Sequence, residues 1–155
     1  MIKIKSLYDT VVNDKGLPVS HDQLEVFAEE GHTVTHRGAD NDDFLMRYKA
    51  RLIISDFAGN PSELVYVVLQ WLKEFEPEEE ELALDFMVDV LSHDSMDIML
   101  IIPLTEIIKK TMVDGGIKLE TYIPPRLDIV EDGKVELDIR HVPGGKEIDH
   151  GSFFS

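Results

Sequence analysis

Strict alternation of apolar and polar residues, sustained over three stretches, governs what this chain can fold into. From Phe44 to Phe57, Tyr48, Ala50, Leu52 and Ile54 share one parity, while Arg47, Lys49, Arg51 and Ser55 share the other. A period of two is the repeat of an extended strand, so this run predicts a half-buried strand with a basic outer face. In Leu82–Leu91, Leu84, Phe86, Val88 and Val90 oppose Asp85, Met87 and Asp89. In Met96–Leu104, Met96, Ile98, Leu100 and Ile102 oppose Asp97, Met99 and Ile101. Only the polar turn Ser92–Ser95 separates these two runs, which predicts an antiparallel hairpin. The pattern continues through TEIIKKTM to a tight turn at Asp114-Gly115-Gly116, then through IKLETYI to Pro124-Pro125.

Between the strands the spacing predicts helices. Asn60 is placed to cap a helix with Pro61 at its first position, and Leu64, Val68, Trp71, Leu72 and Phe75 form its apolar face until Pro77 prevents continuation. A short helix is predicted over residues 6–12, with Leu7 and Val11 on one side. A further helix is predicted from Ser20, where Gln23 completes a capping box, Leu24, Phe27 and Ala28 make a stripe, and Gly31 is the C-cap. A short strand, His32–His36, and a polar loop, Arg37–Asp43, follow it. After the double proline, RLDIVEDGKVELDIR reads as a self-contained hairpin turning at Asp132-Gly133, and the Gly-rich tail ends in Phe153-Phe154. The expected fold is α+β: an antiparallel or mixed β-sheet with two to three helices on one face and a C-terminal β-hairpin arm. The expected division is residues 1–125 as the main domain and 126–155 as arm and tail.

Composition narrows the functions open to such a fold. The 155 residues carry 15 basic and 31 acidic side chains, a net charge of −16. A field of that sign repels phosphate and anionic lipid, which argues against sequence-reading DNA binding and against membrane association. Cysteine is absent, so thiol nucleophiles, disulfides and thiolate metal sites are excluded. The N-terminal MIKIKSLYDT has no apolar signal core, and the longest apolar run, Ile98–Leu104, is too short to span a bilayer.

A search for chemistry finds no phosphate-cradling glycine loop, no nucleophile elbow and no HExxH. His32 and His36 lie roughly 13 Å apart along an extended strand, too far to share an ion, and read as surface histidines. His93, Asp94 and Asp97 cluster at a turn, where Asp and Ser bond local backbone. Asp85 and Asp89 are paired carboxylates only for a substrate lying along the strand; a solvated or subunit-facing surface is the simpler reading. No cofactor or metal ligand set emerges. Met87 and Met99, on the polar parity of their strands, instead suggest a second packing surface.

The middle of the chain carries a resemblance. RYKARLIISDFAGNPSELVYVVLQWLKEFEP followed by SHDSMDIMLIIPLTEIIKKTMVDGGIKL resembles the R family of tail completion proteins of temperate phages with contractile tails. The shared features are an RY-initiated strand ending in DF-x-G, a helix with an LxWL core and a terminal proline, a polar D/S turn, a strand reading into LTE, and a DGG turn. The likeness covers about residues 44–125 and lapses after Pro125. It implies a structural protein of the virion tail, not an enzyme, with no cofactor. It also implies a cap on the finished tail that makes it competent to join the head, similar in role to tail terminators. The implied assembly is a six-fold ring of copies of the chain. Its implied partners are the tail tube and sheath end and a head completion or connector protein, with DNA passing through without specific binding. The place of assembly would be the host cytoplasm. Candidate subunit-interface residues are Arg47, Lys49, Arg51, Asp85, Met87, Asp89, Asp97 and Met99, with basic and acidic faces of neighbouring copies meeting. Loop carboxylates such as Asp40, Asp42 and Asp43 would make a DNA-repelling bore. The rival readings are a small metal-dependent hydrolase using the Asp/His-rich turns, and another connector or tail tube subunit.

Overall fold

A computed structural model describes residues 1–37, 42–76 and 81–123 and the backbone of two later strands. The element order is α1 (Ile2–Val12), β1 (Leu24–Thr35), β2 (Phe44–Phe57), α2 (Pro61–Phe75), β3 (Asp85–Val90), β4 (Met96–Val113), β5 (Gly116–Tyr122), β6 (Arg126–Ile129) and β7 (Val135–Asp138). The first five strands form one antiparallel sheet in the order β1-β2-β4-β3, with β5 also on β4. The fold is the α+β arrangement expected, with two helices. Strands β6 and β7 pair antiparallel with Arg126 opposite Asp138, as the hairpin reading requires. Pro77, Pro124-Pro125, the turn at Asp132-Gly133 and the Gly-rich tail with Phe153-Phe154 lie outside the described residues.

The alternating parity of β2 and β4 becomes burial. Tyr48, Ala50, Leu52 and Ile54 of β2 and Ile98, Leu100, Ile102 and Leu104 of β4 are buried against Leu7 and Val11 of α1 and the apolar face of α2. Asn60 caps α2, its Oδ1 accepting from the Ser62 amide at 2.9 Å. Trp71 stacks on Phe75 with centroids 4.6 Å apart, and its Nε1 donates to Ser6 Oγ at 2.9 Å, which ties α2 to α1. Each fully buried side chain of this size contributes about 1.5–3 kcal/mol.

One predicted helix is a strand. Within the Ser20–Gly31 segment, residues from Leu24 onward form the first half of β1, with Leu24, Val26 and Ala28 opposite Ile54, Leu52 and Ala50. The same residues satisfy both periods: Leu24 and Ala28 lie on one face either way, whereas Phe27 decides, and it is exposed on the opposite side of the sheet from Leu24. The unpaired flank of β2 supplies a ladder that outweighs helical spacing. The capping-box contacts exist, Ser20 N and Oγ donating to Gln23 Oε1 at 3.0 and 3.1 Å, but they close a turn. Gln23 Nε2 then donates to the Ser55 and Asp56 carbonyls of β2. Gly31 is no helix cap; it sits in a bulge where Glu30 and Gly31 stand opposite Tyr48. Glu30 there takes a left-handed φ of 52°, and Asp56 takes φ 55° in a second bulge opposite Asp97. The 6–12 helix begins earlier, at Ile2, and the short His32–His36 strand is the end of β1, which stops at Thr35.

The long strand β4 has β2 along one flank and two partners on the other. β3 pairs with it up to Ile101, and β5 from Ile107 onward. Positions 102–106 pair with neither. Pro103, which has no N–H to offer, falls in this gap, where its missing donor costs no ladder bond. Thr105, two residues on and so facing the same flank, is satisfied by side chains from the helices. Its amide donates to Glu76 Oε1 at 3.1 Å, and its carbonyl accepts from Lys3 Nζ. Lys3 also pairs with Glu76 at 2.7 Å and donates to the Phe75 carbonyl at 2.9 Å, placing a cation at the C-terminus of α2. One residue further, Glu106, 1% exposed, accepts from the Ile2 amide at the N-terminus of α1 at 3.3 Å, from Thr121 Oγ1 at 3.2 Å, and from the Tyr48 hydroxyl. A buried anion at one helix start and a buried cation at the other helix end thus bolt both helices to the sheet. Burial, then the Glu106 carboxylate, push the Tyr48 hydroxyl far above its ordinary range.

Candidate assembly surface

All eight residues proposed for the interface fall on the helix-free face of the sheet. Cross-strand rows run Phe27–Arg51–Ile101–Asp85 and Glu25–Ile53–Met99–Met87, and Asp97 lies opposite Asp89. Met87 and Met99 are therefore neighbours, as are Asp89 and Asp97, while Arg47 and Lys49 lie further along the same face. The basic and acidic residues do not form two separated faces; they share one. Two of the cations are already engaged within the chain. Arg51 Nε donates to Glu29 at 2.6 Å, and its Nη1 reaches Met99 Sδ at 2.9 Å. Lys49 pairs with Glu30 at 2.9 Å. The hydrogen bond and charge of Lys49 hold the Glu30 carboxyl below its usual range, and Glu30 in turn raises Lys49. Asp97 Oδ1 accepts from the Asp56 amide at 2.9 Å and so holds the second bulge of β2. Arg47, Asp85 and Asp89 remain exposed.

The opposite face shows what alternation alone concealed. Phe86, Val88 and Val90 stand opposite Leu100, Ile98 and Met96, on the core side of the sheet, yet Phe86 is 62% and Val90 69% exposed. The two helices do not reach this edge. At the far end of β4 the hairpin with β5 runs past them too, and Met112, Ile117 and Leu119 on that side are exposed, Met112 by 71%. The sequence signal for the first overhang is the unbroken apolar run Phe86-Met87-Val88, apolar on both parities; for the second it is Met112-Val113 meeting Ile117 across a glycine turn. Exposed apolar surface of this extent is the kind that packs against another surface. The hairpin turn is tight because Gly115 supplies φ 88° at the second central position, between Val113 and Gly116.

Among the described residues no group of three or more His, Asp or Glu is placed to hold a metal ion. His93 and Asp94 are exposed, and the Asp94 amide donates to Ser92 Oγ at 3.2 Å, a local turn bond. A cleft of about 390 Å³ beside Tyr48, Leu72 and Pro103 is lined by charges of both signs, Glu30, Glu76 and Glu81 beside Arg47 and Lys49. No helix among the described residues is long and apolar enough to cross a membrane. Asp42 and Asp43, expected to line a bore, bond Lys110: Asp42 with the ammonium and Asp43 Oδ1 with the amide at 3.2 Å. Asp40 lies outside the described residues.

Comparison with known proteins agrees with a structural part. Tail completion protein R of Escherichia phage P2 is 29% identical over 115 residues, covering 70% of this chain and 74% of the relative. No solved structure matches the chain significantly. The model of the P2 phage tail completion protein R (GpR) family matches residues 1–125, well beyond the 44–125 stretch whose motifs carry the resemblance. With the sheet, both helices and both apolar overhangs inside that span, the chain belongs to the P2 phage tail completion protein R family.

Proposed function

We propose that this protein completes the phage tail as a ring of identical subunits seated on the end of the tail tube, and that the ring makes the tail competent to join the head. The observation that carries the reading is apolar surface left uncovered at two separate places on one subunit, the β3 edge and the β4–β5 hairpin. A closed ring needs two different complementary patches on every copy. Six copies is the expected number, by similarity in role to tail terminators. The partners are the tail tube and sheath end below and a head completion or connector protein above, met in the host cytoplasm. DNA passes through a bore kept unattractive by the −16 charge. The division into residues 1–125 and a 126–155 arm belongs to the same reading; the family match ends at residue 125, and the arm is free to differ with its partner. No bond is made or broken, and no cofactor is used.

The test is deletion of the gene from the phage, with complementation. Loss of the protein yields tails and DNA-filled heads that do not join, and wild-type protein restores joined particles, counted by electron microscopy. Joined, infectious particles in the deletion would overturn the reading.

A further inference from the structure

We infer that neighbouring subunits meet head to tail, the β4–β5 hairpin of one copy lying along the β3 ledge of the next. The inference rests on the ring reading above and names the surfaces that build it. The ledge is Phe86, Val88 and Val90; the hairpin contributes Met112, Ile117 and Leu119. Both patches lie on the side of the sheet that carries the helices, and both are apolar enough to gain by leaving water.

Charge selects between this contact and a symmetric one. The ledge segment, residues 81–97, carries Glu81, Asp85, Asp89, Asp94 and Asp97 and no lysine or arginine. Two ledges placed edge to edge would set these carboxylates against one another, which is destabilising at cross-strand distance. The hairpin segment, residues 107–123, carries Lys109, Lys110 and Lys118 against Asp114 and Glu120, a net charge of +1 in a chain of −16. Lys110 leans on Asp42 and Lys118 on Glu120, while Lys109 lies over the Tyr122 ring at 3.9 Å to its centroid. The hairpin is thus a near-neutral, lysine-bearing element: by the register Lys109 and Lys118 stand on the helix-free face, the face that carries Asp85, Asp89 and Asp97 of the ledge, and Lys110 stands on the apolar side. Among the described strands none covers the β3 edge, and its carboxylates discourage its pairing with a copy of itself while leaving it open to the hairpin.

The chain has no cysteine, which makes the test clean. Single-cysteine chains Val90→Cys and Met112→Cys, one carrying a size tag, are mixed on isolated tails lacking the protein and treated with a short bis-maleimide. That reagent tolerates more slack than the ~7 Å Cα limit of a disulfide. The expected product is the mixed 90–112 dimer, in large excess over either same-site dimer. A 90–90 product, or ring-bearing tails that yield no mixed product, overturns the inference while the ring stands; the latter is also the result if the chain's own 126–155 segment covers the ledge. Tails bearing no multi-subunit cap at all would overturn the ring reading itself. As a second measurement, Val90→Asp keeps an intact hairpin and Met112→Asp an intact ledge. Each alone fails to self-associate, and their mixture stops at twice the mass of one chain, with a single good junction. Self-association of either variant alone refutes the head-to-tail contact.

Discussion

Replacing Lys3 by methionine tests the bolt between helices and sheet. Methionine keeps the length and apolar stem but removes the ammonium, which is 3% exposed and bonds Glu76, the Phe75 carbonyl and the Thr105 carbonyl. Removing one partner of a buried pair leaves the other charge in a medium that solvates it poorly, a loss of about 3–5 kcal/mol. For a domain of ordinary stability, about 5–15 kcal/mol, that is a large fraction of the whole. Glu76→Leu alone is expected to cost a similar amount, for the same reason. The double variant Lys3→Met/Glu76→Leu removes both charges together and leaves the unmade backbone bonds at Thr105, at about 1–3 kcal/mol for each buried group. Its expected cost is about 2–6 kcal/mol for those two groups, below the sum of the singles at about 6–10 kcal/mol. Urea unfolding followed by fluorescence of Trp71, the lone tryptophan, buried between the helices, reads all three. The midpoint should fall in each variant with an unchanged slope. A Lys3→Met cost under about 1 kcal/mol, or a double cost equal to the sum of the singles, would show that the pair is not the buried, coupled unit described.

Alkaline unfolding should begin near pH 10. Because the folded Tyr48 hydroxyl is held far above its ordinary value, its contribution is intact below about pH 10 and falls as pH rises, by about 1.4 kcal/mol per unit; Tyr48→Phe should flatten that slope in pH-dependent melts. Gly115→Ala should cost about 1–2 kcal/mol from its left-handed φ alone, since a Cβ there meets nothing within 4 Å; a thermal melt unchanged from wild type would contradict this. Val90→Lys should leave folding stability within about 0.5 kcal/mol, the side chain being exposed on an edge strand, yet abolish tail completion; retained particle yield would count against the ledge. For the helix-free face, Arg47→Glu is the informative reversal, because Arg51→Glu would first repel Glu29 inside its own chain. Its expected effect is weakened tail binding at unchanged melting temperature, read by co-sedimentation with tails.

The strands of the middle of the chain were plain in the sequence because one side of each is solvated, so burial wrote a period of two into residues 44–57 and 96–104. Helix α2 was equally plain, with a cap, a proline start and an apolar stripe. The Ser20–Gly31 segment misled because Leu24 and Ala28 suit both periods, and only the partner strand, distant in sequence, decides between them. The Lys3–Glu76–Glu106 cluster was invisible for a related reason: lysine and glutamate read as surface residues until tertiary contacts bury them. Likewise, the sequence places Phe86, Val88 and Val90 on the core side, but whether a helix reaches that far is a matter of how two helices cover a sheet wider than themselves. Parity alone puts the eight interface candidates on one face of the sheet; the pairing of Arg51 with Glu29 and of Lys49 with Glu30 depends on where β1 lies.

The two flanking partners of β4 have a geometric consequence. Ile98 faces the ledge strand and Met112 lies in the hairpin, so both apolar overhangs hang from one continuous strand, roughly 45 Å apart at the ordinary rise of an extended chain. In the head-to-tail ring proposed above, β4 would act as a ruler whose length and twist dictate the angle between successive copies. Inserting or deleting residues near Pro103 would retune that angle, and with it how many copies close a circle.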